Sequence, residues 1–183
     1  MRFASYATIA LSFVGAAVGV PAVKRASVSD LDTALSTLTS QISALDAALD
    51  AYPAAGDLLA ASNINDQVLA LGSTADNAAA LAKALTTLSE ADGQTIFVSM
   101  QNAVPQFEDY IQQLITKKTG FTSLPIPGIE GLVLQGLHGL ANSVTILGSS
   151  LLAIAPADLQ SPAQTLFQRI TLAFAQVIMA YSS

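Results

Sequence analysis

Residues 28–52 read VSDLDTALSTLTSQISALDAALDAY, and this stretch decides the fold. Its large apolar residues are spaced alternately three and four positions apart, which is the repeat of a helix that buries one narrow stripe against other helices. They are Val28, Leu31, Leu35, Leu38, Ile42, Leu45, Leu49 and Tyr52. Small and polar residues fill the remaining positions. The stretch therefore predicts a helix of roughly 36 Å that needs several partner helices to cover its stripe.

The same spacing recurs along the chain, interrupted by proline and glycine, and no β-type alternation with turn signals accompanies it. The pattern predicts an all-α, antiparallel bundle of about five helices. Their expected ranges are 27–52, 62–89, 93–119 with a kink or short break near Pro105, 128–155 and 161–182. Ser27 or Ser29 can cap the first helix, with Asp30 or Asp32 completing a capping box. Ser161 followed by Pro162 predicts the start of the last helix.

Composition limits the class of protein. Hydrophobic residues make up 52% of the 183 residues and charged residues only 11%, which excludes a disordered chain. The net charge is −6, and beyond residue 25 four basic residues face thirteen acidic ones, a balance of −9. Such a chain has no basic surface for nucleic acid or anionic lipid headgroups. We therefore expect no nucleic-acid partner.

The N-terminal residues predict secretion. Arg2 precedes an apolar run over 3–18, small residues follow, and Lys24-Arg25 forms a dibasic processing site. The expected organisation is a signal peptide over 1–22, a short pro-segment over 23–25 and one helical domain over 26–183. We expect a monomer that is secreted, extracellular or in the cell wall, held by its core because the chain has no cysteine.

The fourth predicted helix, 128–155, is apolar enough to raise the question of a membrane span. Polar residues recur within two or three of its turns, among them Glu130, Gln135, His138 and Asn142, and a bilayer would penalise them. We expect a buried helix of a bundle instead. Its glycines at 131, 136, 139 and 148 weaken a helix, and two reasons for them remain open: close helix contact or a cavity beside the helix.

The sequence contains few candidates for catalytic or metal-binding residues. His138 is the only histidine, and no Glu-x-x-His pair for a metal-binding bundle occurs. Glu108 and Asp109 are adjacent, so on a helix their carboxylates diverge. The glycines match no phosphate-binding or dinucleotide-binding loop. We expect no enzyme activity, no metal and no cofactor.

The remaining candidate for a functional site is an apolar cavity inside the bundle. Long stripes interrupted by alanine and glycine can enclose a pocket for an acyl chain, whose burial contributes about 0.8 kcal/mol per methylene. The residues predicted to line such a cavity share central positions on the stripes. They are Leu38, Ile42, Leu45, Leu71, Phe107, Ile111, Leu137, Leu140, Val144 and Phe174. Gln41, Gln112 and Tyr110 are candidates to bind a ligand's head group, although surface exposure is the more usual reason for such residues.

Several short motifs occur in an order that resembles one protein family. They are Lys24-Arg25, the opening helix, KKTGF at 117–121, Gly128-Ile129, APADL at 155–159 and the ending at 173–182. Together they resemble the fungal hydrophobic surface-binding protein A and cell-wall galactomannoprotein family. The fourth helix departs from the family's pattern because it is rich in glycine and free of lysine.

This resemblance implies a secreted or wall-associated helical bundle that binds a fatty acid or similar apolar ligand in a cavity inside the bundle. The alternative is a wall protein that coats hydrophobic surfaces and assists secreted lytic enzymes, with no specific small-molecule ligand. A third interpretation is a structural mannoprotein scaffold with a solid core.

Overall fold

The computed structural model describes residues 26–182, and this part of the chain forms helices and no strands. The predicted signal peptide, the pro-segment and Ser183 lie outside the described residues. The six helices are α1 Val28–Asp50, α2 Leu58–Lys83, α3 Glu90–Thr116, α4 Lys118–Thr122, α5 Ile129–Ile154 and α6 Ala157–Ser182. The predicted all-α bundle is confirmed, with the five-residue α4 added to five long helices.

The long helices form a closed ring in which each packs against two others. Around the ring the order is α1, α2, α5, α6 and α3, and α3 returns to α1. Helices that follow one another along the chain run antiparallel. Hydrogen bonds from Ser43 to Gln106 and from Gln113 to Asp46 show that α1 and α3 run in the same direction. The ring therefore mixes antiparallel neighbours with parallel ones.

The stripe of α1 faces the inside of this ring. Its residues from Leu31 to Tyr52 are buried, and Leu31, Leu45 and Leu49 are fully so. The capping box forms as predicted at Ser27: the side chain accepts from the amide of Asp30 at 3.1 Å, and Asp30 accepts from the amide of Ser27. The opening stretch is thus the helix that the spacing predicted, covered by α2 and α3.

The bounds of α2 differ from the prediction at both ends. Asp57 caps the helix by accepting from the amide of Ala60 at 2.9 Å, so α2 begins at Leu58 rather than at residue 62. It ends at Lys83 because the following segment bonds elsewhere: the amide of Leu88 donates to the carbonyl of Ile154 at 2.8 Å. The predicted extension to residue 89 is wrong.

The third predicted helix starts earlier and ends earlier than expected. Ser89 caps α3, so Gly93 lies inside the helix and not in a break before it. The helix continues without a break through Pro105, which is exposed. Proline lacks the amide that would donate to the carbonyl four residues earlier, so one helical hydrogen bond is missing there. Beyond Thr116 the chain turns into α4, which contains Gly120.

The last helix begins at Ala157, four residues before its predicted start. Pro162 therefore lies inside α6 and not at its first position. The extra turn is held because the amide of Leu159 donates to the carbonyl of Pro156 at 3.0 Å and both residues are buried against Gly93.

Two lysines close the end of the bundle that carries α4. Lys117 donates to the carbonyls of Tyr52 at 2.7 Å and Asp50 at 3.2 Å, and Lys118 donates to the carbonyl of Ala180 at 2.6 Å. Each lysine therefore complements the negative C-terminal end of a neighbouring helix, α1 or α6.

Helix α5 has the length and composition of a membrane span, the one such helix among those described. About 44% of its most apolar window is buried within the bundle, where it packs against α2 and α6.

Candidate functional site

A small cavity lies at the centre of the bundle. Its volume is about 70 Å³, and its walls come from all five long helices. The walls are almost entirely apolar, with Thr39 and Ser99 as the polar exceptions. A cavity of about 150 Å³ is needed to hold one benzene, so this space is too small for an acyl chain as it stands.

A much larger space opens between α2 and α5. This cleft has a volume of about 850 Å³, within the range of about 300–1,000 Å³ typical of small-molecule sites. It lies along the N-terminal halves of the two helices, over 58–76 of α2 and 129–143 of α5. Helices α3 and α4 contribute its deepest side chains.

The floor of the cleft is apolar and buried. Ile64, Leu137 and Leu140 come from the two flanking helices, while Leu114 and Phe121 reach it from α3 and α4, and all five are nearly inaccessible to solvent. These residues belong to the stripes of their helices. The core of the bundle therefore continues directly into the base of the cleft.

The rim of the cleft is also apolar, although it faces solvent. Leu58 is 51% exposed, Leu69 60% and Leu132 55%. Asn65, Asp76 and other polar residues alternate with them along the rim. Apolar side chains grouped along the edge of an apolar groove mark surfaces that bind an apolar partner. The arrangement is typical of a surface that an apolar ligand covers.

The glycines of α5 divide into two groups. A Cβ at Gly148 would lie 2.6 Å from the Phe167 ring, so this glycine permits close contact with α6. A Cβ at Gly131, Gly136 or Gly139 would meet nothing within 4 Å. Close helix contact therefore explains Gly148 and not the other three. Because Gly136 and Gly139 line the cleft, they keep it wide.

Two buried polar side chains, Tyr110 and Ser143, line this cleft. Tyr110 is 0% exposed, and its hydroxyl has no hydrogen-bond partner among the described residues. Burial raises the pKa of Tyr110 above its ordinary value, so the phenol stays protonated. The Phe107 ring lies 5.8 Å away, between centroids.

Two other tyrosines fix the surroundings of Tyr110. Tyr181 donates to the carbonyl of Leu114 at 3.0 Å, and Tyr52 stacks on Phe121 with 4.3 Å between ring centroids. The Tyr52 hydroxyl lies 3.3 Å from the carbonyl of Gly120. These contacts hold α6 against α3 and the end of α1 against α4.

The ten residues predicted to line a cavity are distributed over different places. Five line the central cavity: Leu38, Ile42, Leu71, Phe107 and Val144. Leu137 and Leu140 line the cleft. Leu45, Ile111 and Phe174 are buried in the core and line neither space. Whether any of the ten contacts a ligand stays a prediction.

The candidates for a head-group site also separate. Gln112 is exposed and donates to Gln176 at 3.1 Å, and Gln41 is half-buried outside both spaces. Tyr110 is fully buried at the cleft, although exposure was the more usual expectation. His138 is exposed on α5. Sequence reasoning missed the rim, because Leu58, Leu69 and Leu132 lie outside the stripes.

The family model of hydrophobic surface binding protein A matches residues 28–153, which span α1 to the end of α5. The chain belongs to the hydrophobic surface binding protein A family. The predicted membership is thereby confirmed, and both sides of the cleft lie within the matched range. No protein with a curated description matches the chain significantly.

Solved structures share this fold. The chain is similar to Afmp4p, whose crystal structure contains palmitic acid: identity is 27%, the TM-score is 0.79, and the match covers 85% of this chain and 99% of that one. Ligand binding domain 2 of Penicillium marneffei MP1, complexed with multiple arachidonic acids, matches at 19% identity and a TM-score of 0.77, covering 88% and 99%. Domain 1 of MP1, complexed with arachidonic acids, matches at 18% identity and a TM-score of 0.76, covering 87% and 100%.

Proposed function

We propose that this chain binds a fatty acid or a similar apolar ligand, and that the α2–α5 cleft receives the acyl chain. The observation that carries the proposal is the cleft itself: about 850 Å³ of space over a buried apolar floor, widened by glycines and edged by exposed leucines. The palmitic acid bound to Afmp4p supports the same class of ligand, since that protein has the same fold at 27% identity.

Apolar burial is sufficient to drive this binding. Each methylene removed from water contributes about 0.8 kcal/mol, so an acyl chain seated over eight methylenes gains roughly 6 kcal/mol before the cost of association. Covering the exposed leucines of the rim adds apolar area from the protein's side. No elaborate polar site is required.

Binding, with no catalytic step, is the activity that we propose. We also propose that the protein acts outside the cell, in the medium or in the wall, as a monomer with no membrane span. The sequence over 1–25 and membership of the family support secretion. The packing of α5 between α2 and α6 supports its role as a bundle helix.

A second function rests on a different observation. Leu59 is 83% exposed and follows Leu58 at the start of α2, and Leu58, Leu69 and Leu132 are exposed as well. A protein that adsorbs to hydrophobic surfaces without a specific ligand would use these four leucines as its contact.

Native mass spectrometry of secreted protein tests the first function. The protein should carry co-purified lipid, release it on solvent extraction, and take up added palmitic acid in a fixed ratio. Adsorption to hydrophobic beads is measured on the same delipidated sample. Adsorption without any lipid uptake would contradict fatty-acid binding and favour the second function.

A further inference from the structure

The hydroxyl of Tyr110 is a buried polar group with nothing to bond. Its oxygen is covered by protein, and no donor or acceptor in residues 26–182 satisfies it. A buried hydroxyl without a partner destabilises the folded protein, so proteins retain few of them. The side chain lies at the base of the cleft, which is where the inner end of a bound ligand would arrive.

The charges around the cleft point to the kind of group that reaches this hydroxyl. None of the described residues that line the cleft is lysine, arginine or histidine, and the one charged residue among them is the carboxylate of Asp76. A carboxylate brought to the base of the cleft would therefore lose water and gain no counter-ion. Burial of that kind favours the uncharged form of a carboxyl group.

Lys118 is a basic residue at this end of the bundle, and its ammonium already has partners. Its ammonium donates to the carbonyl of Ala180, lies 3.9 Å from Glu130 and sits 5.7 Å from the centroid of the Tyr181 ring. Lys118 does not line the cleft. Its positive charge therefore interacts with the C-terminal end of α6 and with Glu130.

We propose that the inner end of the bound ligand carries an uncharged oxygen, as in a protonated carboxyl, an ester or an alcohol, and that this oxygen bonds to the hydroxyl of Tyr110. This inference rests on the proposed function, because it requires an acyl ligand in the cleft. Floor side chains must shift on entry, since the hydroxyl is covered in the unliganded protein. The bond then removes the cost of the unsatisfied hydroxyl.

The first test compares decanoic acid with methyl decanoate by calorimetry on delipidated protein. Measurements at about pH 5 and about pH 8 change the charge of the acid and leave the ester neutral. The affinity for the acid should be at least about tenfold lower at about pH 8 than at about pH 5, because a shift of one unit in the pKa of the bound carboxyl corresponds to a tenfold change in affinity. Affinity for the ester should stay constant, which controls for titration of the protein itself.

Tyr110→Phe and Tyr181→Phe form a matched pair for the second test. Tyr110→Phe should leave the melting temperature of the delipidated protein unchanged or raise it. The same substitution should lower the affinity for decanoic acid at about pH 5 by roughly two- to tenfold, which corresponds to the loss of one hydrogen bond. Tyr181→Phe loses a made hydrogen bond to Leu114. It should lower the melting temperature and keep the pH dependence of acid binding.

The outcomes separate the inference from the function on which it rests. Equal affinity for the acid at both pH values, or a loss of that affinity in Lys118→Gln, would mean that a charged carboxylate binds, and would overturn the inference alone. A Tyr110→Phe protein with a lower melting temperature and an unchanged affinity for decanoic acid would also overturn the inference alone. Binding of neither probe at either pH would overturn the proposed function as well.

Discussion

Gly93 lies on α3 with Pro156 directly against it. A Cβ at residue 93 would lie 2.6 Å from two carbons of the proline ring, and a proline ring has little freedom to move away. Gly139 on α5 is the opposite case, since a Cβ there meets open space in the cleft. The same residue type therefore permits contact in one helix and prevents filling in another.

Alanine substitution separates these two roles. Gly93→Ala should lower the free energy of unfolding by about 1–3 kcal/mol through overpacking. Gly139→Ala should raise it by about 0.5–1 kcal/mol, because alanine favours the helix and nothing opposes its methyl group. Chemical denaturation of both variants measures the difference. Equal effects of the two substitutions would show that local helix propensity, and not the surroundings, sets their stability.

For single residues, the sequence predicted that the glycines of α5 serve a structural purpose. It did not decide between close helix contact and a cavity as that purpose. The partner that decides for Gly148 is Phe167 on the next helix, just as Pro156 decides for Gly93 on α3. Such contacts depend on how two helices meet, which the spacing of apolar residues does not encode.

Among the helices, α1 follows its sequence pattern most closely. Its stripe is buried from Leu31 onward, and Leu38 at the middle is 8% exposed and lines the central cavity. The pattern was sufficient because the stripe is unbroken and Ser27 provides a recognisable cap. A charge placed in this stripe would have no partner.

Leu38→Asp should therefore unfold the domain or lower its stability by at least about 3 kcal/mol, since an unpaired buried charge is among the most costly substitutions. Ser40→Asp is the control, because Ser40 is exposed on the same helix. Thermal melting by circular dichroism measures both. A Leu38→Asp protein that melts like the control would show that the stripe faces solvent.

Helix ends were predicted less well than helices. The starts of α2, α3 and α6 each lie three or four residues from their predicted positions, because Asp57, Ser89 and Pro156 begin turns that glycine or proline nearby had appeared to forbid. Local hydrogen bonds to these residues decide the bounds. The cap at Asp57 could have been found from the sequence, since aspartate is a preferred N-cap.

Acidic residues dominate the charge of the whole molecule, and Asp46 is among those that are half-buried. Burial raises the pKa of Asp46, and the nearby Asp50 and Asp109 raise it further. A carboxyl whose pKa is raised by folding is more costly to ionise in the folded state, so stability falls as pH rises through the interval between its unfolded and folded pKa values. Asp46 accepts from Gln113 at 2.7 Å, which an asparagine can also do.

Asp46→Asn should accordingly be more stable than the natural protein at neutral pH. The advantage should vanish at about pH 3, where Asp46 is largely protonated in both states. Asp66→Asn, on an exposed part of α2, removes the same charge as a control. Denaturant unfolding across this range measures the difference. An advantage that grows as pH falls would contradict the assigned direction of the pKa shift.

The position of the cleft is a property of the whole bundle. The sequence predicted apolar volume inside the bundle and the class of ligand, but it spread the lining over stripe positions of every helix. Helices α2 and α5 are neighbours in the ring although α3 and α4 lie between them in sequence. Pairing of this kind depends on the closure of the ring, and heptad spacing cannot specify it.

Palmitic acid binding to two leucine variants of α5 tests the central claim most directly. Gly136 lines the cleft, whereas Gly131 on the same helix does not, and a Cβ meets open space at both. Both variants should melt at temperatures no lower than that of the natural protein. Gly136→Leu should bind palmitic acid at least about tenfold more weakly, a loss of about 1.4 kcal/mol in binding free energy. Gly131→Leu should bind palmitic acid with unchanged affinity. Unchanged affinity in Gly136→Leu would contradict an acyl site between α2 and α5.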